Sequence, residues 1–256
     1  MSGVFETGTL LGWGPGVWAL AAAACLVAGV VRGFTGFGLA LIVVTAVSVL
    51  AAPVEIVPIA VILDLFASVR MLPHVHKDVD RRGVVLMTLG ALPMIPVGVW
   101  LLAVVHEDHM RLAIGVVVLL ATLAIAAGMG LKRSPGPILK VVTGCAVGIM
   151  TGSAGIPGPP VILLYLSSPL PPATLRATAV AIFMVTDFAV LALLAVKGFV
   201  TAEVLLHCLI LIPFVEIAVL FGRRLHGKAR PDQVKRAALA LLMFLAIVAI
   251  GRVLLT

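Results

Sequence analysis

Two short motifs interrupt apolar sequence and supply most of the polar chemistry within it. RGFTGFG at 32–38 sets an arginine, a threonine and three glycines between uncharged runs, and TGSAGIPGPP at 151–160 combines hydroxyls with glycines and prolines. Glycine lets backbone come close to a ligand, and Gly36, Gly38, Gly155 and Gly158 are placed to do so. Pro157, Pro159 and Pro160 suit a helix break followed by a first turn that needs no N–H. A broken helix exposes unpaired N–H donors and the positive end of a helix dipole, which suits an anion. The chain has no asparagine and a single glutamine, Gln233, so contacts must come from backbone N–H, from hydroxyls and from charge. That inventory favours a small oxyanion over a sugar or a peptide. The candidate binding set is Arg32, Gly33, Thr35, Gly36, Phe37 and Gly38 in the first motif, with Thr151, Gly152, Ser153, Gly155, Ile156, Pro157 and Gly158 in the second. Helix packing through small residues is the competing reading. It suffices for Gly29 and Gly144, but it does not explain an arginine and a proline cluster in the middle of apolar blocks.

Four ionisable residues fall inside apolar blocks: Arg32, Asp64, Asp187 and Glu216. Charges at membrane depth are rare and mark transport pathways or structural pairs. Arg32 adjoins the first break and can counter an anion; snorkelling to a headgroup or pairing with an acid is its structural alternative. Asp64 and Asp187 occupy similar mid-span positions, so either can exchange a proton during transport. Each could instead form a static pair with Arg32 or Arg176; Arg176 stands three turns before Asp187 on nearly the same helix face.

Other chemistries fit less well. Ser153, His207 and Asp187 are the residues an intramembrane serine hydrolase would need, but Thr151 stands where the first glycine of G-x-S-x-G belongs. His74 with His76, and His106 with His109, sit among loop charges and read as solvated rather than metal-binding. Cys25, Cys145 and Cys208 lie singly in apolar runs and read as buried small hydrophobes rather than a disulfide or metal framework. No catalytic set, cofactor or metal is expected. The net charge of +7 gathers in short loops without interleaved aromatics, which argues against nucleic acid.

The elements that must hold these motifs follow from composition. Of 256 residues 62% are hydrophobic and 11% charged, against about 25% charged in a soluble domain. An all-α polytopic membrane protein is expected. Its basic loops at 70–83, 132–140 and 222–236 belong on the cytoplasmic side, and both termini on the other. An even number of crossings must separate two cytoplasmic loops, so each motif-bearing block should either dip into the membrane and return or make two short crossings. Halves of about 14–21 Å, against a core of about 30 Å, fit two half-helices meeting inside the membrane better. The expected plan is two inverted repeats, 1–131 and 132–256. The first has a broken, re-entrant-like hairpin at 17–52 and spans at 54–72, 83–105 and 110–131; the second has a hairpin at 138–168 and spans at 174–196, 203–222 and 234–255. The halves of each hairpin are expected to be short. Direct similarity between the repeats is thin: a gapless offset of 124 aligns Gly98 with Gly222, Leu101 with Leu225, Asp108 with Asp232 and Ala113 with Ala237, little above chance. No oligomeric state follows from the pattern.

VRGFTGFGLALIVV, GIMTGSAGIPGPPVILLYL and the following RATAVAIF resemble the TauE/SafE family of bacterial anion exporters over nearly the whole chain. The resemblance implies a multi-pass inner-membrane transporter with two homologous halves, exporting sulfite, an organosulfonate or another small sulfur anion, and neither catalysis nor a bound cofactor. Together with the buried aspartates it makes proton-coupled export of a small anion across the lipid bilayer the leading expectation. A uniporter or channel for another small anion is the alternative.

Overall fold

Prolines open most of the helices, where a missing N–H costs nothing. The structure, a computed structural model, describes residues 11–48, 50–105 and 134–226, with isolated helical positions between 112 and 123 and between 233 and 247. The spans expected at 110–131 and 234–255 therefore lie outside the described residues, apart from those positions. The elements are α1 (Pro15–Thr35), α2 (Leu39–Val47), α3 (Pro53–Val75) with a following turn His76–Asp78, α4 (Arg81–Val104), α5 (Pro137–Ala154), α6 (Gly158–Leu166), α7 (Pro172–Val196) and α8 (Ala202–His226).

Six of these are long and apolar enough to cross a membrane: α1, α3 with its turn, α4, α5, α7 and α8. Their outward faces carry large bare side chains, among them Phe188, Ile217, Leu89 and Trp100, each more than half exposed. Such apolar area faces lipid rather than water. The chain is an all-helical polytopic membrane protein.

Small residues set the packing. Gly144 meets Met87, Gly148 meets Ala91, and Gly152 meets Ile95 and Gly98, so contacts advance by one turn on both helices and α4 and α5 run parallel. In the same way Gly29 meets Val215 and Ala218, and Gly33 meets Val219 and Gly222, so α1 and α8 are parallel. The two seams repeat each other group for group. Gly33 lies against the Val219 carbonyl, Gly222 Cα and the Arg223 amide; Gly152 lies against the Ile95 carbonyl, Gly98 Cα and the Val99 amide.

Each motif breaks a hairpin, but its arms are unequal. The first arms, α1 and α5, have 21 and 18 residues, or roughly 32 and 27 Å, whereas α2 and α6 have nine each, about 14 Å. Short first halves were expected. The helices continue through Arg32, Gly33 and Thr35, and through Thr151, Gly152 and Ser153, because glycine inside a packed helix admits the neighbouring helix and need not break it. Only Gly36 (φ 87°), Gly38 (φ 96°) and Gly155 (φ 67°) use left-handed backbone at the breaks.

The second hairpin returns to the end where it starts. Lys140, in the first turn of α5, bonds Asp80 at 2.5 Å, and Tyr165, at the end of α6, bonds the same carboxylate at 2.9 Å. Asp80 also caps α4 through Gly83 N–H and donates its own N–H to Thr178 of α7. Burial pushes this carboxyl upward, yet the bonds from Lys140, Gly83 and Tyr165 outweigh it and hold Asp80 below the usual carboxylate range.

Candidate functional site

The two hairpin tips are built by different local chemistry. At the first, Gly36 N–H bonds the Arg32 carbonyl at 2.8 Å and closes α1 in a left-handed cap. Thr35 Oγ1 lies 2.8 Å from the Val31 carbonyl and 3.0 Å from that of Phe37, and it accepts the Phe37 N–H at 3.3 Å. This hydroxyl is spent on the turn. At the second tip Gly155 N–H bonds Thr151 O at 2.8 Å and Ile156 N–H reaches Met150 O at 3.3 Å. Thr151 Oγ1 likewise turns back on its own helix, donating to Val147 O at 2.6 Å.

Between the tips lies a small cavity with room for about one water. Phe37 and Gly38 line it from one hairpin, Ile156, Pro157 and Gly158 from the other, Asp64 from α3 and Phe183 from α7. The first N–H bonded back within α2 belongs to Ile42, so the amides of Leu39, Ala40 and Leu41 have no partner inside the helix. Prolines 159 and 160 leave the start of α6 with fewer amides to offer. The positive end of α2 is the stronger anion pole of the two.

Arg32 is fully buried beside this cavity. Its guanidinium donates to the Gly36 carbonyl at 2.6 Å and to Ser68 Oγ at 2.5 Å, stands 3.1 Å from Asp64, and stacks on the Phe183 ring at 4.9 Å. Asp187, also fully buried, has no donor on either oxygen among the described residues. The carboxylate of Asp64 faces it within hydrogen-bonding range, so a proton between the two would satisfy both. The aspartates come together, but not at matching positions. Counted from Pro53 and Pro172, which open α3 and α7, Asp64 corresponds to Phe183 and Asp187 to Ser68, one turn apart.

Other candidates fall elsewhere. Gly33 and Gly152 are filled by the neighbouring helix, and Ser153 is buried in the α4–α5 seam, where its amide meets Gly98. Glu216 pairs with the exposed Arg70 at 2.6 Å. Arg176 does not pair with Asp187; it donates to the Gly33 carbonyl at 2.6 Å. His207 stacks on Trp13 with ring centroids 4.1 Å apart, beside a second, larger cavity lined by Glu55 and Glu203. The His207 ring lies against Trp13 and the backbone of Leu11 and Glu203, away from Ser153 and Asp187, so the three form no triad. Ser68 and Phe183 escaped the sequence reading. Both had a signal: Ser68 is one turn after Asp64 on the same face, and Phe183 closes the RATAVAIF motif.

A bundle of membrane-spanning helices, with two broken hairpins whose tips enclose a charged cavity, has the architecture of a secondary membrane transporter. The sulfite exporter TauE/SafE family matches residues 21–249, and the chain belongs to that family, one of transporters rather than enzymes. It is 31% identical over 218 residues to a protein of Cupriavidus necator named "Probable sulfite/organosulfonate exporter TauE", covering 82% of this chain and 84% of the relative. No solved structure matches it.

Proposed function

We propose that this protein exports sulfite or a short organosulfonate across the bacterial inner membrane, and that the anion binds between the hairpin tips, where the one-water cavity widens to admit it. One observation carries the reading: both motifs contribute residues to a single cavity that adjoins a fully buried arginine. The first amides of α2, without partners inside the helix, and the Arg32 guanidinium offer positive potential to an oxyanion, while Phe37, Ile156 and Phe183 line the cavity with apolar surface. The name of the Cupriavidus relative supports the sulfur oxyanion.

Alternating access fits two inverted repeats, 1–131 and 132–256. In support, α1 packs on α8 of the other half by the same contacts that α5 makes with α4, and α3 meets α7 at the centre. The basic loops favour a cytoplasmic end at Asp80 and Arg223 and a periplasmic end at Trp13 and His207.

Proton coupling belongs to Asp64 and Asp187. One cation, Arg32, faces two carboxylates, and an arriving anion adds to the negative charge. Protonation of the pair therefore favours the anion, and by linkage the anion favours the proton. The two would move together, with less net charge carried across the bilayer than by the anion alone.

Efflux of radiolabelled sulfite and ethanesulfonate from proteoliposomes tests the reading. Saturable flux that Gly158→Val abolishes is the expected result. Wild-type flux in that variant would place the site elsewhere, and flux indifferent to a pH gradient would favour a uniporter.

A further inference from the structure

Among the described residues Arg176 is a guanidinium without a counter-ion. No carboxylate among them acts on it; its charged neighbours there are Arg32 and Arg223, both repulsive. One terminal nitrogen donates to the Gly33 carbonyl, but its buried Nε has no partner. The Nε of Arg32, on the other side of the same turn, is also buried and unpartnered. Capping the last carbonyls of α1 accounts for the Gly33 bond. It does not account for a free donor, or for three arginines gathered where like charges raise the cost. The first break is shaped around this side chain. A Cβ on Gly36 would fall 2.5 Å from Arg176 Cγ, so Gly36 supplies both the left-handed turn and the space for the arginine stem.

Placement on α7 gives the residue a role. Phe183 is seven residues on and Asp187 eleven, so Arg176, Phe183 and Asp187 form one stripe along the helix. Phe183 lines the cavity and Asp187 faces Asp64 beyond it. Arg176 stands about 10 Å before Phe183 at the end where α1 and α8 finish, level with Gly33 and Arg223. His226 closes the same corner, its Nδ1 2.7 Å from the Phe34 carbonyl.

We propose that Arg176, with Arg223 beside it, is an oxyanion-capture site at the cytoplasmic mouth, which supplies the missing counter-charge from substrate and delivers the anion along α7 to the cavity. The class of ligand is a small sulfur oxyanion or sulfonate, so the inference rests on the anion-export reading. The cavity and the mouth can be tested separately.

Sulfite and ethanesulfonate binding to the purified full-length protein in nanodiscs, by calorimetry, distinguishes them. Arg176→Gln still reaches the Gly33 carbonyl but carries no charge, and should weaken binding about tenfold or more. Arg176→Lys keeps the charge and should stay within about threefold of wild type. Gly158→Val blocks the cavity and should leave a weak binding component that disappears in the double variant with Arg176→Gln. Melting temperature and elution profile monitor the fold of each. Wild-type affinity in folded Arg176→Gln overturns the capture site, as does a folded Arg176→Lys that binds no better than the glutamine variant. Wild-type affinity in Gly158→Val overturns the cavity reading instead, and a wild type that binds neither anion overturns both.

Discussion

Gly98 and Gly152 press backbone to backbone across the α4–α5 seam: a Cβ on Gly152 would lie 2.9 Å from the Cα of Gly98. Neither position has space for a side chain. Gly158, six residues after Gly152, has only the Phe37 ring edge at 3.8 Å from its Cβ direction, an ordinary contact. The two glycines of one motif should therefore fail differently. Gly152→Val should lower stability by about 1–3 kcal/mol or more through overpacking, seen as lost yield and a lower melting temperature. Gly158→Val should insert and melt as wild type and lose anion binding by at least about tenfold. Equal melting temperatures for the two variants would contradict the seam. Gly36 is a poor probe of the site, because its positive φ and the Arg176 stem penalise any side chain there.

The Asp80 carboxylate joins α4, α5 and α6 at one end of the bundle, and its bonds favour the ionised form. A carboxyl lowered in the folded state contributes stability above its unfolded value, about 3.9, and the contribution disappears as pH falls through the lower folded value. Wild-type protein should therefore lose melting temperature below about pH 4 more steeply than Asp80→Asn, while at neutral pH the variant is the less stable. Lys140→Met should cost about 1–3 kcal/mol at neutral pH, since it removes a charged hydrogen bond from a half-buried carboxylate. Parallel melting curves for wild type and Asp80→Asn across the acid range would show that the network carries no stability.

If the second hairpin returns to its starting face, its two ends must be reached from one side. Single cysteines at Gly136 and Ser168, which flank the hairpin, should both react with a membrane-impermeant maleimide in inside-out vesicles and resist it in right-side-out vesicles. A cysteine at Gly198, between α7 and α8, should show the reverse. Removing Cys25, Cys145 and Cys208 gives the background. Opposite labelling of Gly136 and Ser168 would mean that the hairpin crosses the membrane and would end the inverted-repeat reading.

The all-helical, membrane-spanning architecture was legible in composition, because the bilayer allows few backbone solutions. Both breaks were visible as glycine clusters. What sequence could not give was which glycine turns the chain and which merely admits a neighbour: Gly33 and Gly36 look alike as letters, yet only Gly36 needs left-handed backbone. Gly98 and Gly222, one pair in a weak alignment, share a packing role, since each meets a glycine of the helix it packs on, Gly152 of α5 and Gly33 of α1. The partner of Arg32 was open between several acids because burial brings α3 and α7 together across more than a hundred residues of chain. A pair of Arg176 with Asp187 along its own helix was one alternative open in the sequence, whereas its long stem carries it to α1.

Asp64 and Asp187 allow the coupling proposal to be separated from simple structure. Asp64 already holds an ion pair with Arg32, so Asp64→Asn frees a buried guanidinium and should reduce stability as well as transport. Asp187 receives no donor bond among the described residues, and an asparagine there can donate its amide to Asp64 in place of a shared proton. Asp187→Asn should therefore melt at or above the wild-type temperature. If the shared proton is the coupled one, wild-type affinity for sulfite should tighten as pH falls, because protonation removes negative charge facing the anion. Asp187→Asn should bind with the affinity of the acidic form at every pH, and its efflux should not respond to an imposed pH gradient. Binding, melting temperature and gradient-driven flux measured on one preparation keep these effects apart. An Asp187→Asn variant whose affinity still follows pH as the wild type does, with full gradient response, would remove this residue from coupling and leave the anion moving down its own gradient.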